Sequence, residues 1–368
     1  MIYLDSGATS FRKPPEVYRA VLEAMHSCAN PGRGGYGAAR RAGEVVYGCR
    51  EAAGELFHCL PEQVVLTANC THGLNLAIRS CIRPGSTVVI SGFEHNAVTR
   101  PLHALDVKLR VAGRTLFDQE DTLRAFQQAL EGADAAVFTH VSNVFGYILP
   151  VEAMAAACRE RGIPFILDAA QSAGTLPVSL EALGADFIAM PGHKGLLGPQ
   201  GTGLLLCRDG GEPLCYGGTG SFSRQQTMPS ELPDRLEAGT LNVPGFAGLW
   251  AGLRYLKRRK VESVFRKEHT LLQMCVRGLQ RMGMQVFSGD NQAATVSFLP
   301  GMDCQEAADF LAKRGIAVRA GLHCAPYAHE SAGTLETGTV RVSIGYDTFP
   351  DQITAFLREA SKLPRFAG

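Results

Sequence analysis

Short apolar runs alternate with helix-like stretches between residues 60 and 210 of the chain. Most of these runs are continuously apolar rather than alternating, which is typical of strands that are buried on both faces. Such strands predict a mainly parallel sheet with helices on each side. The predicted strands span residues 63–67, 87–91, 135–140, 164–167, 187–190 and 203–207.

Two amphipathic helices are predicted before this sheet, and a different pattern follows it. Their apolar positions are Val17, Val21, Ala24 and Met25 in the first helix and Val45, Val46, Cys49, Ala52 and Leu56 in the second. Beyond residue 240 we predict one long helix over 250–282, strands at 285–288, 294–299, 317–318 and 339–344, and a final helix over 353–363.

The pattern as a whole predicts an α/β fold with two domains. We expect a large domain over residues 15–248, built on the mainly parallel central sheet, and a smaller α+β domain over residues 249–368. Residues 1–14 are expected to pack on the smaller domain. With 368 residues, of which 46% are hydrophobic and 19% charged, the chain is long and apolar enough for real cores.

The charge balance and the cysteines exclude several classes of protein. Lys and Arg number 36 against 35 for Asp and Glu, so no global field attracts nucleic acid. Asp5 interrupts any signal peptide, and no window approaches the roughly 20 apolar residues of a membrane span. The eleven cysteines include no C-x-x-C pair, which predicts reduced thiols rather than disulfides or a metal site. We therefore expect a cytoplasmic protein without membrane contact.

Two predicted strands end at residues that could carry chemistry. Asp168 follows a buried strand, where open α/β sheets bind ligands, although it could equally be the N-cap of a helix. Lys194 stands in a glycine-rich segment after another strand, and burial there would make its amine nucleophilic; the alternative is a surface lysine. Together they supply the carboxylate and the amine that pyridoxal phosphate requires. Thr71, at the start of a helix, could contact the phosphate.

Several segments, in order along almost the whole chain, resemble the class V aminotransferase superfamily and, within it, the cysteine desulfurase and selenocysteine lyase family. The segments are LDSGAT near the N-terminus, EHNA at 94–97, HVSNVFG at 140–146, DAAQ at 168–171, GHKGLLGPQGTG at 192–203, EAGTLN at 237–242 and RAGLHCAP at 319–326. The resemblance implies the type I fold of pyridoxal-phosphate-dependent transferases, with bound pyridoxal phosphate, a homodimer, and cysteine or selenocysteine as the substrate.

The resemblance also implies how the cofactor is held. Lys194 would attach it covalently and act as acid and base at the substrate Cα. Asp168 would pair with the pyridine nitrogen, Gln171 would bind the phenolic oxygen, and His95 would stack on the ring.

Further positions take roles from the same resemblance. Thr71 and His193 would bind the phosphate, and Thr240 would reach the site from the second subunit of the dimer. Asn143 would contact both cofactor and substrate, and Arg341 would hold the substrate carboxylate as a bidentate fork.

Cys324 occupies the family's nucleophile position. The nearby His323 and Arg319 are expected to favour its thiolate, whereas a plain exposed thiol without a role is the alternative. The implied reaction converts L-cysteine to L-alanine and leaves a persulfide on Cys324, from which an acceptor protein takes the sulfur. Because the thiol and Lys194 lie in different predicted domains, the loop must approach the cofactor, and its position would limit turnover.

Departures from the family pattern leave alternatives open. Cys70, a predicted cofactor contact, stands where the family usually has Thr, and Leu322 replaces a frequent histidine. Only seventeen positions separate Cys324 from Arg341, and this short loop resembles the SUF-type branch. It also suits a selenocysteine lyase, so the preferred atom stays open. The remaining alternatives are another class V reaction, such as transamination or kynurenine cleavage, and a non-catalytic scaffold for a sulfur carrier. The sequence does not identify the sulfur acceptor or the pathway.

Overall fold

The computed structural model describes residues 1–32 and 34–364. Its strands, in chain order, are β1 (Ile2–Tyr3), β2 (Val64–Thr67), β3 (Thr87–Ser91), β4 (Lys108–Ala112), β5 (Ala135–Thr139), β6 (Phe165–Asp168), β7 (Phe187–Pro191), β8 (Gly203–Cys207), β9 (Gln285–Phe287), β10 (Thr295–Leu299), β11 (Ile316–Ala317), β12 (Arg319–Gly321) and β13 (Thr339–Ser343).

Its helices are α1 (Pro15–Ser27), α2 (Gly37–Phe57), α3 (Cys70–Cys81), α4 (Asn96–Ala104), α5 (Gln119–Ala129), α6 (Val151–Arg161), α7 (Leu180–Leu183), α8 (Val243–Arg259), α9 (Val261–Arg281), α10 (Cys304–Ala312), α11 (Pro326–Ala332) and α12 (Pro350–Ala360). In this described part of the chain, none of the helices has both the length and the apolar character that crossing a bilayer requires.

A seven-stranded sheet has the order β2-β8-β7-β6-β5-β3-β4. The strands from β7 to β4 pair in parallel, and only β8 runs antiparallel to its two neighbours. The expectation of a mainly parallel sheet is confirmed. Strand β4 was not predicted. It lies at the sheet edge, where buried and exposed positions alternate, so its sequence is not a continuous apolar run.

A second, four-stranded antiparallel sheet has the order β12-β13-β10-β9. Its apolar core combines residues of the sheet with residues of α9 and α12, among them Leu272, Phe298 and Phe356. Leu4 of the N-terminal segment is fully buried in the same core. The N-terminus is thereby held on this sheet, close to β13.

Two expectations about the helices are wrong. The predicted helix over 250–282 is two helices, because the backbone of Lys260 adopts a left-handed φ of 63° between α8 and α9. Met25 does not join the buried face of α1: Val17 and Ala24 are buried, whereas 66% of Met25 is exposed.

The division into domains at residues 248 and 249 stays a prediction. Helix α8 runs through this point without interruption, and it packs against α1 and α2 along its length. Its residues Leu253 and Leu256 belong to the core beside the seven-stranded sheet.

Gly146 joins the two sheets and tolerates no side chain. Its carbonyl oxygen accepts a hydrogen bond from the Ala293 N–H at 2.8 Å. Its φ is +70°, and a Cβ atom there would stand 2.3 Å from the Thr295 carbonyl oxygen. Both the backbone conformation and the space require glycine at this position.

We predict that Gly146→Ala destabilises the protein far more than Gly85→Ala. Gly85 has a comparable φ of +80° but nothing within 4 Å of its missing Cβ, so it isolates the conformational cost. The displaced backbone at Gly146 should add about 2 kcal/mol to the loss in the free energy of unfolding, measured by denaturant titration. Equal losses in the two variants would contradict this account.

Candidate active site

A cavity of about 200 Å³ lies at the carboxyl ends of β5, β6 and β7. This is the edge at which parallel sheets bind ligands. It brings together most of the residues predicted from the sequence. Those that line it are Cys70, Thr71, His95, Asn143, Asp168, Gln171, His193 and Lys194.

Lys194 stands just beyond β7, with protein atoms around its side chain and part of its surface accessible from the cavity. Within residues 1–32 and 34–364, its amine has no side-chain hydrogen bond or ion pair. Burial lowers its pKa, while the negative charge of Asp168 opposes this effect. A lowered pKa favours the neutral amine, which is the form that reacts as a nucleophile.

Asp168 ends β6 and faces the same cavity, with only 3% of its surface exposed. Its Oδ1 accepts the Ala170 N–H at 2.9 Å and the Cys70 thiol at 3.5 Å. Among the described residues, Oδ2 has no hydrogen-bond donor. Burial raises the pKa of this carboxyl group, so a donor or cation at Oδ2 would relieve the cost of its charge. The protonated pyridine nitrogen of pyridoxal phosphate would donate a hydrogen bond to this oxygen.

Cys70 lines the cavity, and its role as a cofactor contact stays a prediction. Its thiol contacts the carboxylate of Asp168. Burial and the charge of Asp168 raise its pKa well above the usual value. The thiol therefore stays protonated and acts as a hydrogen-bond donor to Asp168.

The start of α3, where we predict phosphate binding, lines the cavity. Asn69 caps the helix, since its Oδ1 accepts the His72 N–H at 2.9 Å. The first N–H groups of a helix lack acceptors within the helix and attract anions. Across the cavity, the Nδ1 of His193 lies 3.0 Å from the Thr9 hydroxyl, and burial lowers its pKa to about 4. The phosphate contacts of Thr71 and His193 stay predictions.

His95 is the N-cap of α4, and its ring orientation is determined by that role. Its Nδ1 accepts the Ala97 N–H at 3.0 Å. Burial, helped by the charge of Lys194, lowers its pKa to about 4, so the ring is neutral. A neutral ring held in one orientation on the cavity wall suits stacking on a planar ligand.

The amide groups of Gln171 and Asn143 form hydrogen bonds with the N-terminal segment and with the loop of Cys324. Gln171 Nε2 donates to the Gly7 carbonyl oxygen at 3.0 Å, and Asn143 Nδ2 donates to the His323 carbonyl oxygen at 2.7 Å. The Oδ1 of Asn143 is buried without a partner in the described structure. A buried acceptor of this kind is suited to a ligand donor.

The loop that carries Cys324 lies between β12 and α11 and contacts Asn143, which lines the cavity. The thiol residue is exposed, and its carbonyl oxygen accepts the Asn96 N–H at 2.7 Å. His323 and Cys324 have consecutive left-handed φ values of 50° and 58°. Since the preceding carbonyl is bound by Asn143, this short loop is already docked against the cavity.

One expectation about Cys324 is wrong. His323 points into the protein, where only 4% of its surface is exposed and its Nε2 lies 3.3 Å from the Thr339 hydroxyl. Burial lowers its pKa to about 2. A neutral imidazole supplies no positive charge, so His323 anchors the loop instead of favouring the thiolate.

Besides Cys324, two further predicted residues do not line the cavity. Arg341 is 1% exposed and forms an ion pair with Asp5, with Nη2 and Oδ1 2.6 Å apart. Thr240 lines a separate cavity of about 740 Å³, together with Asn30 and Arg50. A role for Thr240 at the Lys194 cavity therefore requires a second subunit.

The N-terminal segment is part of the site, although its sequence pattern predicted no role there. The carbonyl oxygen of His193 accepts the Ser10 N–H at 3.0 Å, the Ser10 hydroxyl at 2.9 Å, the Thr9 hydroxyl at 3.1 Å and the Lys13 amine at 2.9 Å. These contacts hold the peptide group just before Lys194. The small polar residues of LDSGATS were the available signal, but nothing in the sequence said what they contact.

Comparisons with known proteins agree on one family. Residues 2–356 match the family described as Aminotransferase class-V. A probable cysteine desulfurase of Methanothermobacter thermautotrophicus is 33% identical over 96% of this chain and 92% of its own. The apo structure of a cysteine desulfurase from Thermococcus onnurineus NA1 superposes with a TM-score of 0.90 at 30% identity, covering 98% of this chain and 94% of that one. A C-DES mutant with glycine covalently linked to its PLP cofactor shares the fold, with a TM-score of 0.83 at 21% identity over 98% of this chain and 96% of that one.

We predict that Cys70→Ala shifts the pH midpoint of the visible absorbance of the cofactor-loaded protein upward by about 0.5 pH units. Without the thiol donor, the proton affinity of Asp168 rises, and Asp168 takes the proton from the ring nitrogen. The positive charge of that nitrogen lowers the pKa of the chromophore, so its loss raises this pKa. Cys70→Ser, which keeps a donor, should retain the wild-type midpoint. Cys81→Ala at the other end of α3 is the matched control, and a midpoint that Cys70→Ala leaves unchanged would show that the thiol only fills space.

Proposed function

The chain belongs to the class V aminotransferase family, and on this basis we propose that it is a pyridoxal-phosphate-dependent cysteine desulfurase. The observation that carries the proposal is the single cavity that Lys194 and Asp168 share, together with the docking of the loop of the exposed Cys324 on Asn143 of the same cavity. The substrate is L-cysteine, and the products are L-alanine and a persulfide on Cys324.

Bound pyridoxal phosphate supplies an electron sink for the negative charge that develops at the substrate Cα. Asp168 would hold its pyridine nitrogen, His95 would cover its ring, and the start of α3 together with His193 would receive its phosphate. Two oxygen atoms of the cavity have no donor among the described residues, Asp168 Oδ2 and Asn143 Oδ1, and the ring nitrogen of this ligand would donate to the first.

Lys194 would take the proton from the substrate Cα and return protons as the product forms, because burial lowers the pKa of its amine. The Cys324 thiolate would attack the substrate sulfur. An S–S bond forms, the Cβ–S bond breaks, and its electron pair stays with Cβ, which takes up a proton to become the methyl group of alanine. The protein gains one sulfur atom, and no external oxidant is required.

A sulfur acceptor completes the proposed cycle. Cys324 and its neighbour Leu322 are both exposed on the loop between β12 and α11. An acceptor thiol, on a protein or a small molecule, can therefore reach the persulfide without entering the cavity. The short docked loop also supports the proposed place in the SUF-type branch.

A homodimer would bring Thr240 to the Lys194 cavity of the second subunit. Exposed aromatic residues stand beside the segments that line the cavity of Thr240, and they are Tyr36, Tyr47, Tyr216 and Phe222. Exposed aromatic residues are frequent at interfaces between proteins. Their positions next to these segments support assembly through the surface around Thr240.

A cytoplasmic location is also proposed. All eleven cysteines lie among the described residues, and each is a free thiol. Reduced cysteines are typical of a reducing compartment.

We predict that Cys324→Ala lowers sulfide release from L-cysteine, measured with a thiol reductant present, by about a thousandfold. Its visible absorbance should match the wild type, because the cofactor site is intact. Lys194→Ala should lose both activity and the absorbance band. Cys215→Ala removes the other exposed cysteine and is the matched control. Unchanged sulfide release from Cys324→Ala, or a wild type that stays colourless with added cofactor, would refute the proposed function.

We predict that Thr240 completes the active site of the second subunit. Two variants that are inactive alone, Thr240→Ala and Cys324→Ala, should therefore restore activity when they pair with each other. Thr240→Ala and Cys324→Ala, unfolded, mixed in equal amounts and refolded together, form heterodimers in which one site is complete. Random pairing should restore about one quarter of the wild-type activity. A mixture no more active than the sum of its components, or a monomeric mass for the active protein, would contradict this arrangement.

A further inference from the structure

The guanidinium group of Arg341 already has a carboxylate partner. Its Nη2 lies 2.6 Å from Asp5 Oδ1, and its Nη1 donates to the Asn143 carbonyl oxygen at 2.9 Å. Its Nε is buried without a partner in the described structure. Among the described residues, Asp5 is the only carboxylate within ion-pair distance of this arginine.

Asp5 belongs to an N-terminal strap, residues 5–10, which contacts Arg341 through Asp5 and lines a pocket together with Lys194 through Ser6, Gly7 and Ser10. The Ser6 N–H donates to the Ser343 carbonyl oxygen at 3.2 Å, and the Gly7 N–H donates to the Ser343 hydroxyl at 2.8 Å. A Cβ atom on Gly7 would lie 3.4 Å from Arg341 Cζ, so the strap backbone covers the guanidinium. A substrate cannot reach Arg341 while the strap keeps this position.

We propose that Asp5 occupies on Arg341 the place of the substrate α-carboxylate, and that an amino acid substrate must displace it to bind. The proposal rests on the proposed function, in which Arg341 holds that carboxylate. It makes Asp5 a specificity-determining residue, because it sets the cost of admitting each ligand.

The exchange is physically feasible because it preserves the charge balance. A buried arginine without an anion is costly, and Asp5 prevents that state when no substrate is present. A substrate carboxylate restores the same pairing and adds a second hydrogen bond at the vacant Nε, in the bidentate geometry that carboxylates prefer. Asp5 moves into solvent, to which 19% of its side chain is already exposed. A ligand without a carboxylate gains nothing on Arg341 and leaves Asp5 in place.

The strap links this exchange to Lys194. Gly7 accepts the Gln171 amide through its carbonyl oxygen, and Thr9 and Ser10 hold the carbonyl oxygen of His193. Displacement of Asp5 therefore loosens a segment that contacts both the cofactor site and the peptide before Lys194. Only substrates that carry the α-carboxylate would trigger this change.

The test uses the cofactor-loaded protein with Asp5→Asn, which keeps the side-chain shape and weakens the hold on Arg341. L-Alanine is the probe for a carboxylate ligand, and ethylamine is the matched probe without a carboxylate. We expect the dissociation constant of L-alanine and the KM for L-cysteine to fall about fivefold in Asp5→Asn, with kcat unchanged. Ethylamine should bind the variant and the wild type equally.

Asp347→Asn is the control, because it removes a carboxylate from the neighbouring loop that makes no ion pair with Arg341. It should leave the affinity for L-alanine unchanged. If Asp5→Asn instead weakens L-alanine binding or leaves it unchanged, Asp5 only orients Arg341 and the proposal is wrong.

A measurement on the wild type covers the case in which Asp5→Asn does not fold. Saturating L-alanine should accelerate hydrogen exchange at the amides of residues 6 and 7, whose acceptors on Ser343 are lost when the strap moves. Unchanged or slower exchange there would overturn the proposal. These binding and exchange measurements need no sulfur chemistry, so they judge Asp5 separately from the desulfurase activity of the wild type.

Discussion

An amine and a carboxylate share one cavity, and the protein leaves each of them without a full set of partners. The amine of Lys194 has no ion pair in the described structure, and Asp168 uses one oxygen while the other stays vacant. Groups of this kind are costly in a low-dielectric site unless a ligand completes them. The cavity therefore suits a molecule with a cationic nitrogen, which would bind Asp168, and an electrophilic carbon, which would react with Lys194. The neighbouring residues hold the carboxylate and the amine in position.

The N-terminal strap gives this cavity a connection to the antiparallel sheet. It binds Arg341 and Ser343 on β13, and at its other end it binds the carbonyl oxygen of His193. Arg341 and the peptide group before Lys194 are thus held by one continuous segment of the chain. The proposed carboxylate recognition and the proposed cofactor attachment would share this segment.

The sequence was informative wherever the chemistry is local to a strand or its end. Buried strands are continuous apolar runs, and Asp168 and Lys194 directly follow two of them, so the main sheet and both residues were predictable. Strand β4 and the left-handed turn at Lys260 were not, since neither leaves a distinctive residue pattern. The partner of Arg341 lies 336 positions away, and a contact across that separation depends on the whole fold.

The loop of Cys324 is held through its backbone at two successive carbonyl groups, one bound by Asn143 and the other by the Asn96 N–H. Two consecutive left-handed residues further restrict the direction of the side chain, because few alternative backbone conformations retain both contacts. The backbone beside the thiol is thus fixed at two points instead of belonging to a long free arm. In the proposed cycle, the receiving molecule would have to come to the sulfur atom at this location.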